Sequence, residues 1–162
     1  MVRWLVFIHI LSALTFFLAH GTSAAMAFQI RKEKDIERIK AMLDLSGTTM
    51  VFMFIAFLVL GISGLILPFL FQFWNMGWVW LSIVLMLVVF FYMVFMNERA
   101  YKKLRKLVGL PYMVGNKEHP AEPPASQEEI QAYIQSISIT QLVVIGFVIP
   151  AFVAWMMTFK PF

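Results

Sequence analysis

Two histidines near the amino terminus are the residues of this sequence best suited to chemistry. His9 and His20 are eleven residues apart, which places both on one face of a helix, about 16 Å apart along its axis at 1.5 Å per residue. Their neighbours on that face include Ser12, Ala13 and Ala24. Small residues let helices approach closely or leave room for a flat ligand. The pattern therefore predicts that this face points into a helix bundle.

Three roles are open to an imidazole on such a face. It can be an axial ligand to a tetrapyrrole metal, usually haem iron, or it can bind copper together with methionine thioethers. It can also donate a hydrogen bond to a carbonyl that a proline has deprived of its helical donor. The segments 64–68 and 146–150, which share a Gly-h-h-h-Pro pattern (h, apolar), supply such carbonyls near the expected heights of His9 and His20.

The tetrapyrrole hypothesis is limited by geometry. Two histidines three turns apart on one helix cannot both bind the metal of the same tetrapyrrole. A bis-histidine haem would therefore need a second copy of the chain or another subunit. Met53 and Met93 are candidate sixth ligands. His9 and His20 are predicted cofactor-binding residues for haem b or another tetrapyrrole. His9 is preferred as the metal ligand, because its small neighbours leave more space.

The remaining composition excludes several classes of catalyst. The chain has no cysteine, which removes disulfides, thiol catalysis and cysteine-ligated clusters. The long apolar stretches contain no carboxylate, lysine or arginine, which argues against a proton pump or an intramembrane protease of the metallo or aspartyl type. No serine lies in a recognisable nucleophile motif. We therefore predict no catalytic residue, and the sequence favours a protein without enzymatic activity while leaving a haem-pathway oxidase open as the alternative.

The elements that carry these residues are predicted from hydropathy. The 162-residue chain is 61% hydrophobic and only 14% charged, with mean hydropathy +0.81, unlike a soluble domain. The stretches 4–30, 45–97 and 130–159 carry no charged residue, and a crossing needs roughly 20 apolar residues. The fold class predicted is an all-α bundle forming one membrane domain over 1–162. Its four spans are expected near 4–29, 49–71, 78–97 and 137–158.

Basic residues predict the orientation. The segments 31–46 and 98–129 hold 11 of the 13 basic residues, and the turn at 72–77 holds none. Because cytoplasmic loops are enriched in lysine and arginine, both basic segments are expected inside and both termini outside. An alternative, that 1–27 is a signal peptide cleaved after Ala27, would leave 31–46 outside, against the charge rule. We expect these basic segments to contact anionic lipids rather than nucleic acid.

The two inner segments are expected to contain short helical stretches and one irregular loop. Asp35 is a predicted N-cap for a short helix lying on the membrane surface within 31–46, and Ser46 a predicted cap for the second span. The third helix should run past the membrane to about Lys106. Residues 110–127 should form an irregular loop, and Ser126 with Glu129 should form a capping box.

Parts of the sequence resemble known bacterial membrane proteins. The first helix begins Trp-Leu-Val-Phe-Ile-His9 and continues to His20-Gly-Thr-Ser-Ala-Ala, followed by the basic loop. This resembles an uncharacterised bacterial four-helix integral membrane family, and the first helix is distantly similar to copper-resistance D-like proteins and HemJ-type protoporphyrinogen oxidases. The distant resemblance implies haem at His9, although a basic residue within the third span is lacking here.

These observations predict an accessory subunit of a redox or energy-transducing assembly in the bacterial plasma membrane. Its expected partners are the bilayer and other membrane subunits, or further copies of itself. The alternatives are a purely structural membrane subunit without cofactor, a haem-pathway oxidase and a copper-handling membrane protein.

Overall fold

The computed structural model describes residues 1–115 and 117–162, with the backbone alone at 96–98. It contains four helices long and apolar enough to cross a membrane: Val2–Ile30, Ile36–Phe71, Gly77–Leu107 and Ile139–Phe159. Large apolar side chains on them are exposed, Leu18 by 73% and Leu58 by 62%. Wide exposed apolar surfaces mark contact with lipid or protein. The structure therefore confirms the prediction of a helical protein with four helices long and apolar enough to span a membrane.

Helix α1 spans Val2–Ile30 and packs along helix α2, which spans Ile36–Phe71. The Asp35 carboxylate accepts a hydrogen bond from the Glu37 amide at 2.9 Å, which confirms the predicted N-cap. The expected separate surface helix and the second span are one continuous helix, which runs through Gly47 at the junction between them. Ser46 is consequently buried inside α2 and does not cap it.

The turn after α2 begins at Gln72, which has a left-handed conformation (φ 57°). Helix α3 spans Gly77–Phe91, and a π-helical segment at Tyr92–Asn97 links it to helix α4 at Glu98–Leu107. Together these segments form one continuous helix, Gly77–Leu107, which confirms that the third helix extends past the predicted span. The carboxyl terminus returns to the turn, where the Trp78 amide donates to the Phe162 carbonyl at 3.4 Å.

The segment after α4 is more regular than expected. Strand β1 (Tyr112–Val114) pairs antiparallel with strand β2 (Lys117–His119), with Tyr112 opposite His119. The rings of this pair stack with centroids 5.4 Å apart. Gly115 has φ +60° at the connection, a conformation that glycine adopts without strain. The flanking prolines made this segment look irregular, whereas cross-strand contacts order it.

The carboxyl-terminal part starts with helix α5, Gln127–Ser136, capped by the Ser126 hydroxyl, which accepts from the Glu129 amide at 3.2 Å. The chain then bends at Ile137 and continues as helix α6 (Ile139–Val143), a π-helical segment (Val144–Val148) and helix α7 (Ile149–Phe159). Helix α7 packs on α3. The membrane bundle therefore consists of two helix pairs, α1–α2 and α3–α7.

Contacts at one end of the bundle join the two basic segments. The Gln127 side-chain amide donates to the Lys34 carbonyl at 3.3 Å. Arg105 and Asp44 form an ion pair at 2.7 Å. The segments 31–46 and 98–129 therefore lie at the same end, as the charge pattern requires. We refer to it below as the basic end.

Candidate functional site

His20 is buried between helix α1 and the second π-helical segment. Its side chain is only 3% exposed. The ring stacks on Phe16 of the same helix, with centroids 5.7 Å apart and planes within 5°. Phe147 of the second π-helical segment lies on it at 5.3 Å and 53°. Two aromatic rings therefore fix the orientation of the imidazole.

The Nε2 atom of His20 faces the backbone at Gly146. A Cβ atom on Gly146 would lie 2.4 Å from Nε2, 3.0 Å from Cε1 and 3.6 Å from Cδ2. These distances place that point near the ring plane, outward from Nε2 and inclined toward the Cε1 side. No described atom forms a hydrogen bond with Nε2. The sequence correctly predicted that His20 and Gly146 lie at the same height, but the described Nε2 contact is close packing and not a hydrogen bond.

This geometry leaves no room for a metal on that nitrogen. Metal–imidazole bonds are about 2.0–2.1 Å long, so the ion would lie almost where the Gly146 Cβ would be, within bonding distance of the Gly146 backbone. A π-helical segment often occurs at a functional site, and here it brings Gly146 against the imidazole. In this arrangement His20 Nε2 does not fit the role of axial ligand.

His9 lies on the other half of α1 and contacts α2. Its Nδ1 is 2.9 Å from the Ser63 hydroxyl oxygen. That hydroxyl is also 2.6 Å from the Val59 carbonyl oxygen and 3.1 Å from the Leu60 carbonyl oxygen. Gly64 permits the approach, because a Cβ there would lie 3.1 Å from His9 Cε1. His9 remains partly exposed, whereas Ser63 is buried.

The two predicted site residues therefore do not form one site. His9 belongs to the contact between α1 and α2, whereas His20 belongs to the contact between α1 and the helix that begins at Ile139. His119 lies apart from both, in strand β2 against Tyr112. No group of three histidine, cysteine, aspartate or glutamate side chains able to hold a metal occurs among the described residues.

A cavity of about 290 Å³ extends from His20 toward the basic end. Part of its wall is apolar and includes the side chains of Met50, Met53 and Met93. The candidate sixth ligands Met53 and Met93 thus lie near His20 and in one cluster.

The cavity also has several hydroxyl groups. Three tyrosines line it, Tyr92, Tyr101 and Tyr133, and burial raises the pKa of the Tyr133 phenol. Ser23 of α1 forms a hydrogen bond with Thr49 of α2 at 2.7 Å between hydroxyl oxygens. Sequence reasoning missed this site, because its walls come from segments far apart in the chain. The tyrosines near the basic end of the helices were the available signal in the sequence.

The acidic residues outside the spans are held by local contacts. The backbone amides of Asp35 and Lys34 donate to the Glu33 carboxylate and lower its pKa. The Tyr112 hydroxyl donates to the Glu122 carboxylate and, with the nearby Lys106 ammonium, lowers the pKa of Glu122. Both groups stabilise loops, and neither lines the cavity.

The fold and the site define a multi-pass helical membrane protein with an internal cavity near one end. Comparisons with family models, with curated proteins and with solved structures find no match to this chain. The resemblance to bacterial four-helix membrane families therefore stays a prediction.

Proposed function

We propose that this protein is an integral membrane accessory subunit of a redox or energy-transducing assembly, and that it holds a tetrapyrrole through His9. The observation that carries the proposal is the hydrogen bond between His9 and Ser63. It occupies Nδ1 and orients the imidazole, so Nε2 would be the nitrogen that binds the metal.

The tautomer of His9 is assigned from the one proton that the Ser63 hydroxyl can donate. The Ser63 hydroxyl has one proton, and its closest acceptor is the Val59 carbonyl oxygen at 2.6 Å. Ser63 then accepts from His9, so we assign the ring proton to Nδ1. A neutral imidazole protonated at Nδ1 has its lone pair on Nε2. Metal-binding histidines almost always donate their other ring N–H in this way.

The residues around His9 fit one axial position. Gly64 leaves space for the imidazole against α2, and the partial exposure of His9 leaves one side open to a ring between this chain and a neighbour. A second axial ligand would come from a partner subunit or a second copy, unless the centre is five-coordinate. Bound haem would supply one-electron transfer, while His9 binds the metal and Ser63 positions His9.

The basic end supports a placement in a bacterial plasma membrane with both termini outside. Lysine and arginine side chains beside membrane spans attract anionic lipid headgroups and favour the cytoplasmic side. With the basic end inside, the half of α1 that carries His9 lies toward the outer face. A partner subunit would therefore contact the tetrapyrrole in the outer half of the bilayer.

A second candidate is a purely structural membrane subunit without a cofactor. The contact of His20 with Gly146 favours it, because there a buried histidine serves only to join helices. On this reading the Ser63 hydrogen bond of His9 is also a helix–helix contact, of the kind that polar residues make in membranes.

An absorbance spectrum distinguishes the two candidates. The protein is purified from membranes, titrated with haem b, and compared with His9→Ala, His20→Ala and Ser63→Ala, each checked for a monodisperse elution. We expect a Soret band in the wild type that His9→Ala abolishes and His20→Ala retains. Ser63→Ala should weaken haem affinity by about 10–100-fold, as loss of a partner to a metal-ligating histidine does.

Two results would contradict the haem proposal. An unaltered Soret band in His9→Ala would eliminate His9 as the ligand. Absence of specific haem binding by the wild type, both alone and in its native complex, would leave the structural subunit as the function.

A further inference from the structure

The cavity near His20 extends along α1 as far as the basic end. His20 and Arg31 both line it, and they are eleven positions apart along the helix and its C-cap, about 16 Å at 1.5 Å per residue. At the level of His20 the wall includes Met53 and Met93, which pack in one cluster with Phe16. The volume of about 290 Å³ lies near the lower limit of small-molecule pockets. Spread over this length, it suits a single chain better than a broad ring.

Arg31 supplies the positive charge of this cavity, because the other described lining residues include no lysine, aspartate or glutamate and no second arginine. Its Nη1 donates to the carbonyl of Ile137, a residue that lines the cavity at the bend before α6, at 2.9 Å. The other guanidinium nitrogens, Nε and Nη2, form no hydrogen bond with a described atom, and neither is enclosed by protein. None of the ion pairs among the described residues involves Arg31. This end of the cavity therefore has a positive charge without a counter-ion and donors without acceptors.

Polar side chains accompany Arg31 at the same end. Ser136, Ser138 and Gln141 line the cavity and are exposed. The Ser138 hydroxyl accepts from the Gln141 amide at 3.4 Å, which leaves its own proton available. An arginine donates parallel hydrogen bonds to the oxygens of a phosphate group. The phosphate of a lipid headgroup fits Arg31, and the glycerol and ester groups beside it fit the exposed polar side chains.

The rest of the wall favours an anion that carries a hydrocarbon chain. Met50, Met53 and Phe54 of α2 line the same cavity, and none of their side chains offers a hydrogen-bond donor. A free phosphate ion would leave this apolar surface uncovered, whereas an acyl chain removes it from water and gains free energy in proportion to the area buried. Phe54 is 38% exposed, so the apolar part of the wall also reaches the surface that lipid covers.

We propose that this cavity holds one anionic phospholipid, with its phosphate on the Arg31 guanidinium and one acyl chain directed along the cavity toward Met53. The second chain stays in the bilayer. The site narrows the general attraction of the basic end for anionic headgroups to one residue and one lipid. It is separate from His9, and it depends neither on a tetrapyrrole nor on the side of the membrane on which the basic end lies.

Native mass spectrometry of the haem-free full chain tests the proposal. The protein is titrated in a neutral detergent with phosphatidylglycerol, and phosphatidylcholine with the same acyl chains is the comparison of zero net charge. We expect one phosphatidylglycerol per chain, bound at least about fivefold more tightly than phosphatidylcholine. Arg31→Gln should weaken phosphatidylglycerol binding by about tenfold or more, the range for hydrogen bonds to a charged group.

Arg38→Gln is the matched control, because it removes the same charge from the same end. The Arg38 side chain is 71% exposed, pairs with the carboxylates of Glu33 and Asp35, and does not line the cavity. Its phosphatidylglycerol affinity should stay within about twofold of the wild type, since exposed and paired charges contribute little. Both variants are checked for monodisperse elution and unchanged helix content.

A second pair of variants locates the acyl chain without altering Arg31. Ala27 lines the cavity, whereas the neighbouring Ala25 is exposed and does not. Ala27→Leu should fill the space and abolish retention of the lipid, and Ala25→Leu should leave it unchanged.

Three outcomes would overturn the proposal: equal binding of the two phospholipids by the wild type, equal phosphatidylglycerol affinity in Arg31→Gln and Arg38→Gln, or binding that survives Ala27→Leu. Two competitors identify the source of the anion. Tighter binding of oleate than of phosphatidylglycerol would assign the cavity to a fatty acid instead. Displacement of phosphatidylglycerol by inorganic phosphate would assign it to a free anion.

Discussion

Gly146→Ala is the substitution for which the structure makes its sharpest prediction. The added Cβ would lie 2.4 Å from His20 Nε2, closer than real Cβ contacts come. Ordinary contact begins at 3.4 Å, so the helices must separate by about 1 Å or the ring must move. Phe16 and Phe147 hold the ring on its faces, so we expect the helices to separate. Overpacking of this kind costs about 1–3 kcal/mol.

Gly61→Ala is the matched control. A Cβ at Gly61 meets nothing within 4 Å, and alanine is favoured over glycine within a helix by roughly 0.8–1.0 kcal/mol. The two changes add the same methyl group, yet they should alter stability in opposite directions. The free energy of unfolding is measured by detergent-induced unfolding of the purified protein, followed by circular dichroism.

The double variant His20→Ala/Gly146→Ala tests the cause. Without the imidazole the new methyl group has space, so Gly146→Ala should cost less in the His20→Ala background than in the wild type. The coupling free energy should be about 0.5–3 kcal/mol, as for residues in direct contact. If Gly146→Ala were as stable as Gly61→Ala, or if the two substitutions were additive, the packing argument would be refuted.

Two further predictions concern topology and the hairpin. Cysteine introduced at Asn75 should react with an impermeant reagent from outside, and cysteine at Lys34 only after permeabilisation; the opposite pattern would reverse the orientation. The Glu122 carboxyl should titrate below the ordinary range of glutamate, so its contribution to hairpin stability is present at neutral pH and lost as the pH falls through that lowered pKa. Tyr112→Phe removes the hydrogen bond to the Glu122 carboxylate, so it should raise the titration midpoint of Glu122 measured by NMR. An unchanged midpoint would show that this hydrogen bond does not affect the pKa of Glu122.

Features that depend on local sequence were predicted well. The lengths of the charge-free stretches determine four apolar helices, because a span needs only about 20 consecutive apolar residues. Asp35 and Ser126 cap helices as expected, since a cap bonds to amides two or three residues away. The main difference between the predicted and observed helices is that α2 begins at Ile36, whereas the second span was predicted to begin near residue 49.

Features that depend on distant segments were decided by the tertiary structure. The hairpin at 112–119 is stabilised by cross-strand pairing, which flanking prolines concealed. The sequence put His9 and His20 on one helix face, but only packing shows that the first forms a hydrogen bond with Ser63 and that the backbone at Gly146 blocks Nε2 of the second. The cavity depends on where the chain bends at Ile137 and on the π-helical turn at Tyr92. Neither has a local signature, because both follow from how separate helices pack together.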